Sequence, residues 1–318
     1  EQGAAFVSIV SQSPDLLKGI DSKRIATFQK AAGTALNKYR QYVQSDKISW
    51  TVIASPSEAW AEKVFPNLPK EKQVDALWDA IFKATRSDLD NPVEAWTKHN
   101  DTLHEKVHYL NAKKYAKLHY TAPGTDLTIE LPKGHLWCGA GSVNEKGEEF
   151  MANMPTEEVF TVPHKDGVNG YVSSTKPLSY GGNIIDNFKI TFENGRITKV
   201  EAEQGEEVLK NLVATDEGSH RLGEVALVPH DSPISNSGLL FYNTLFDENA
   251  SNHLAIGSAY AFCLEGGKKM NREELEANGL NQSITHVDFM IGSAEMNIDG
   301  ITEDGKTEPV FRNGNWAF

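Results

Sequence analysis

Cysteine is almost missing from this chain: Cys138 and Cys263 are the only two in 318 residues. Two cysteines so far apart supply neither a disulfide framework nor a zinc knuckle, and they suit a reducing compartment. The expected location is the cytoplasm. Long apolar runs are missing too. The mean hydropathy is -0.43, and no uninterrupted stretch approaches the roughly 20 apolar residues of a spanning helix, which excludes that class of membrane protein. No signal-peptide pattern opens the chain. Basic charge is outweighed, with 31 Lys and Arg against 44 Asp and Glu and a net charge of -13. Such a field repels phosphate backbones and provides no electrostatic footprint for nucleic acid. Internal repeats, low-complexity segments and long linkers are likewise lacking. The chain begins with Glu1 rather than Met and runs straight into EQGAAFVSIV. We therefore expect a fragment or processed product whose N-terminal structure lacks its start.

What is present is 39% hydrophobic and 24% charged residues, enough for two domains with a core each. The expected class is α/β plus α+β. Residues 1–114 are expected to form an N-terminal α/β domain, truncated at its start, and residues 115–318 a β-rich domain with interrupting helices. In the first part, AAFVSIV and ISWTVIA read as strands. Val74, Leu77, Trp78, Ile81 and Phe82 fall at helical spacing. Asn91 or Asp90 with Pro92 marks the start of a helix that runs to about Lys113. Beyond residue 115 the pattern turns to strands and tight turns, with hairpins expected at Asn194-Gly195 and Asp304-Gly305. Helices are expected at about Glu206 to Val213 and Asn249 to Cys263.

One motif invites a metal at once. LHEKVHYL places His104, Glu105 and His108 in the HExxH arrangement, which on a helix stacks two imidazoles for zinc and leaves a glutamate to act on water. The flanks KHNDT and NAKK are polar, Leu103, Val107 and Leu110 already define the buried stripe, and no downstream residue marks itself as a third ligand. A solvated helix flank accounts for the same residues. A mononuclear zinc endopeptidase built on this motif is one alternative function; a catalytically silent binding or scaffold protein with a structural metal is another.

Other acidic residues sit in apolar settings where an unpaired charge is costly. In RLGEVALVP, Glu224 shares a strand face with Leu222, Ala226 and Val228, and Arg221 is the ordinary partner available to it. In MPTEEVFTVP, Glu157 and Glu158 point to opposite faces. In THVDFMI, period two puts His286 and Asp288 on one face and Thr285, Val287, Phe289 and Ile291 on the other. They could share one metal or hold two side by side, although a simple Asp–His hydrogen bond also fits. On a helix, NASNHLAIGSAYAFC would align His253 and Tyr260 two turns apart, with Gly257 leaving space beside the ring. A donor set rich in carboxylates, with few histidines, suits zinc, cobalt or manganese, especially as bridged pairs.

Glu158, Glu224, His253, Tyr260, His286 and Asp288, in that order and separated by 66, 29, 7, 26 and 2 positions, resemble the M29 family of metal-dependent aminopeptidases. The matching stretches are NMPTEEVFTVP, LGEVALVP, FDENASNHLAIGSAY and THVDFMIGS, with APGTDLTIELP and ENGRITKVEAEQG alongside. The resemblance implies a broad-specificity exopeptidase that takes peptides with a free N-terminus and uses two divalent metal ions per chain. It implies Glu158, Glu224, His253, His286 and Asp288 as metal ligands, Tyr260 as the catalytic tyrosine, and a homodimer. Glu157, beside a ligand, is a candidate to accept the water proton, with its opposite-face position counting against it. HExxH lies outside the family pattern.

Overall fold

The structure is a computed structural model that describes residues 4–318. Its first part opens with two parallel strands, Phe6–Val10 and Trp50–Ala54, paired from Phe6 opposite Trp50 to Val10 opposite Ala54. Helices Ser22–Ala35 and Asn37–Gln44 form the crossover between them, as parallel pairing requires. The next helix, Glu58–Val64, is capped by Ser57, whose hydroxyl accepts from Trp60 N–H. In helix Lys70–Ala84 the periodic residues Leu77 and Ile81 are buried, whereas Phe82 is 41% exposed and stacks on Trp78 at the outer edge. Helix Pro92–Lys113 starts as the sequence signals indicate, with Asn91 accepting from Glu94 N–H and Pro92 in the first turn. It stops where Lys114 turns left-handed.

From Lys117 onward two antiparallel sheets dominate. The larger has nine strands, including the long hairpin Asn183–Glu193 and Arg196–Gln204. Asn194 and Gly195 both take positive φ at its tip, the conformation that favours this dipeptide in tight hairpins. The hairpin at Asp304-Gly305 joins Asn297–Ile301 to Thr307–Arg312. The smaller sheet has five strands in the order His286–Met290, His253–Gly257, Leu222–Leu227, Val159–Thr161 and Cys138–Gly139.

The expected helix at Glu206–Val213 is present. The one expected at Asn249 to Cys263 is not: His253–Gly257 is a strand, preceded and followed by short 3-10 turns. All five residues of that strand are buried, so it lacks the exposed alternate positions that would mark period two. Gly257 has φ +115°, outside the helical region, and a Cβ there would lie 2.3 Å from Thr285 O. Its role is to let the neighbouring strand approach rather than to leave space beside a ring.

One face of the small sheet packs on the large one. Val225, Leu254, Ile256 and Phe289 join Leu127, Phe188 and Ile190 in a single apolar core, each side chain contributing on the order of 1.5–3 kcal/mol by leaving water. A second core combines Trp60, Leu77 and Ile81 with Ile234, Phe241 and Phe246, residues from either side of position 115. The other face of the small sheet is left for chemistry.

Candidate metal centre

Paired residues in neighbouring strands share a face, so register decides which side chains meet. Glu224 stands opposite Ala255, which stands opposite Asp288; Ala226 stands opposite His253; Gly257 stands opposite His286. Phe160 stands opposite Ala226, and Glu158, two residues earlier, points the same way. All five expected ligands therefore converge on one face, with Ala226, Ala255 and Gly257 small enough to leave room between them. Gly223 makes this alignment. It is the extra residue of a bulge between Leu222 and Glu224, and a Cβ on it would lie 2.3 Å from Ser258 O.

The converging atoms form two groups that share one member. Glu158, Glu224 and His253 form the first, and Glu224, His286 and Asp288 the second. His253 Nε2 lies 3.0 Å from Glu158 Oε2 and 3.9 Å from Glu224 Oε1, while His286 Nε2 lies 3.1 Å from Glu224 Oε2 and 3.4 Å from Asp288 Oδ1. Each oxygen of Glu224 thus faces a different histidine. Both imidazoles are oriented from behind, with Nδ1 of His253 donating to Ser251 O at 3.1 Å and Nδ1 of His286 to Ser258 O at 2.8 Å. That leaves both Nε2 atoms turned to the carboxylates, the arrangement metal-binding histidines commonly show.

Burial pushes the Glu224 carboxyl up to about 7, against the pull of His286. Burial alone would lower His253, but the hydrogen bond and charge of Glu158 reverse this and hold it up at about 10. His286 is raised by Tyr260 and Asp288 in the same way, again against burial. Asp288 is held below its usual value by the two histidines although burial opposes this. The carboxylates draw positive charge strongly into this volume. Asp288 Oδ1 is buried without a hydrogen bond of acceptable geometry. A donor set of carboxylates and imidazoles, with a buried acceptor to spare, fits divalent ions.

Tyr260 reaches the site from the N-cap of the 3-10 turn Ala261–Cys263, not from a shared helix face. Its ring lies 4.8 Å from that of His286, and burial raises its phenol above the ordinary value. Glu248, which the sequence reading passed over, belongs to the same place. It is half-buried, lines the same cavity of about 1690 Å³, and its carboxyl is raised first by burial and then by Asp288 and Glu158. In the sequence it resembles an acidic residue ahead of a helix, and only the fold distinguishes it.

Three other expectations are settled by position. Glu157 faces away from the five expected ligands and is held by Arg86 through contacts of 2.5 and 3.0 Å, with His99 Nε2 3.5 Å away. It is no proton acceptor for the cavity. Arg221 pairs with Asp166 at 2.7 Å rather than with Glu224. His104 and His108 stack on the helix flank with ring centroids 6.3 Å apart, Glu105 is exposed, and among the described residues no metal-binding group includes them.

A family model described as thermophilic metalloprotease (M29) matches residues 1–316. The chain belongs to the M29 family. Aminopeptidase AmpS of Bacillus subtilis (strain 168) is 72% identical over all 318 residues, which cover 78% of that protein. Aminopeptidase 2 of Geobacillus stearothermophilus is 57% identical, with 77% of it covered. The solved structure of wild-type AmpT from Thermus thermophilus matches with a TM-score of 0.92 at 45% identity, covering 99% of this chain and 77% of that one. The M29 fold is thus the fold of this chain.

The Arg86–Glu157 pair adjoins Glu158 in the candidate metal centre and is mostly buried. Removing one partner leaves a charge stranded, so Arg86→Ala should lower unfolding free energy by about 3–5 kcal/mol. Urea unfolding of the variant beside the wild type measures this, and an unchanged midpoint would mean that Glu157 finds water or another cation.

Proposed function

We propose that the chain is a broad-specificity metallo-aminopeptidase that removes N-terminal residues from peptides at a centre of two divalent ions, zinc, cobalt or manganese. The observation that carries this is the sharing of Glu224: its two carboxylate oxygens face two separate histidine-carboxylate groups. In this reading Glu158 and His253 would hold one ion and His286 and Asp288 the other, with Glu224 able to contribute to each. Glu248 adds a further acidic donor at the edge of the cluster. When bound, such a pair of ions supplies Lewis acidity to a peptide carbonyl and lowers the pKa of a water.

The chain's own groups do the rest. Ser251 O and Ser258 O fix the two imidazoles through Nδ1, so their Nε2 atoms stay aimed at the centre. The water proton is accepted on the cavity face, where Glu158, Glu224, Glu248 and Asp288 are the available carboxylates. In the same reading the phenol of Tyr260, whose ring lies 4.8 Å from that of His286, donates to the oxyanion that forms at the attacked carbonyl. A homodimer, which the family resemblance supports, a cytoplasmic location, which the scarcity of cysteine supports, and a division into a 1–114 α/β domain and a 115–318 catalytic domain, which the change from helices to strands near residue 115 supports, complete this reading. No helix among the described residues is long and apolar enough to cross a membrane.

The test is hydrolysis of a leucyl peptide with a free or acetylated N-terminus, before and after chelation. Cleavage of the free peptide alone, lost with chelator and restored by a divalent ion, is the expected result. Cleavage of the blocked peptide, abolished by His108→Ala, would move the chemistry to the HExxH helix. Tyr260→Phe should reduce kcat by about 10²–10³, as removal of an oxyanion donor does, while bound metal stays constant. Undiminished kcat would remove Tyr260 from the reaction.

A further inference from the structure

Cys138 and Cys263 meet in space although 124 residues separate them in the sequence. Leu136 N–H donates to Cys263 O at 2.8 Å, and His135 bridges Leu264 in antiparallel fashion. These backbone contacts lay the segment entering Cys138–Gly139 alongside the turn Ala261–Cys263. Both thiols are free and share an apolar cluster with Val162, Leu264 and Leu280. Burial raises the Cys263 thiol, and the neighbouring Cys138 thiol raises it further.

The two sulfurs differ in access. Cys263 is fully buried. Cys138 is half-buried, stands opposite Phe160 on the face that carries the metal ligands, and lines the same cavity as Glu158 and Tyr260. An oxidant entering the cavity meets Cys138 first, with Cys263 directly behind it. A solvent-accessible thiol poised next to a second one is a usual arrangement of an oxidisable pair.

We propose that Cys138 and Cys263 are an oxidisable dithiol, closed to an intramolecular disulfide by a hydroperoxide that enters through the active-site cavity. With hydrogen peroxide, the Cys138 sulfur attacks one peroxide oxygen and the O–O bond breaks. The products are a sulfenic acid on Cys138 and one water. The Cys263 sulfur then attacks the Cys138 sulfur, and the departing hydroxyl leaves as a second water with the Cys263 proton. Two thiols lose two electrons, and one peroxide becomes two waters. Closure to a bond of about 2.05 Å draws the two segments together. Tyr260 precedes Cys263 by three residues, and the strand beginning at Val159 pairs with Cys138–Gly139, so the linked form is less active.

The experiment treats the zinc-loaded full chain with hydrogen peroxide, alkylates remaining thiols in denaturant, and maps peptides without reduction. The expected result is a Cys138–Cys263 linked peptide and a several-fold fall in peptide hydrolysis that a phosphine reductant restores. Cys263→Ser should stop at a dimedone-reactive sulfenic acid on Cys138, and Cys138→Ser should retain its activity through the same exposure. If both thiols still alkylate after peroxide has converted methionines to sulfoxides, or if only links between chains form, the proposal is overturned. A linked protein with undiminished turnover would overturn the effect on Tyr260. The linked peptide is read by mass and decides the pairing even if the chain proves to cleave no peptide.

Discussion

Four carboxylates, those of Glu158, Glu224, Glu248 and Asp288, are gathered around two histidines on one partly buried cavity wall, and the rest of the molecule answers to that concentration of charge. Two unit charges 4 Å apart interact by about 4 kcal/mol at an effective dielectric of 20, so such a group resists assembly unless the backbone forces it and positive charge offsets it. The raised histidines express this pull, while the carboxyl of Glu224 is lifted first by its burial and only then by Asp288 and Glu158. Divalent ions answer the same demand while leaving the imidazoles neutral as ligands.

The force that holds the carboxylates together comes from the opposite side of the sheet. Period two sends Val225, Leu254, Ile256 and Phe289 into the core shared with the nine-stranded sheet, and the same alternation sends Glu224, His253, Asp288 and His286 the other way. Moving the strand of Glu224 or of Asp288 by one residue would put a carboxylate into that core, and moving the strand of His253 would put an imidazole there. At the flank, Arg86 takes hold of Glu157 on the reverse face and so pins the segment from which Glu158 emerges. The glycines act locally: Gly223 makes the bulge that brings Glu224 level with Ala255, and Gly257 lets the strand of His286 close in.

Much of this was legible in the chain because it depends on local rules. THVDFMI already stated its two faces, MPTEEVFTVP already separated Glu157 from Glu158, and the Asn91–Pro92 start and the Asn194-Gly195 turn formed as their chemistry requires. What escaped was set by distant partners. The strand of His253 is buried on both faces, which removes the alternation that would have distinguished it from a helix. Glu248 carries no local mark. The pairings of Arg86 with Glu157 and of Cys138 with Cys263 join positions that only the folded chain brings together.

The account rests on Glu224 serving both groups at once, and metal content of the Glu224→Gln variant tests this most directly. After stripping and reconstitution with zinc, wild-type protein should hold two ions per chain, whereas the variant, folded by circular dichroism, should hold fewer than two. A variant that keeps both ions and full hydrolysis of a free leucyl peptide would contradict the shared-carboxylate centre.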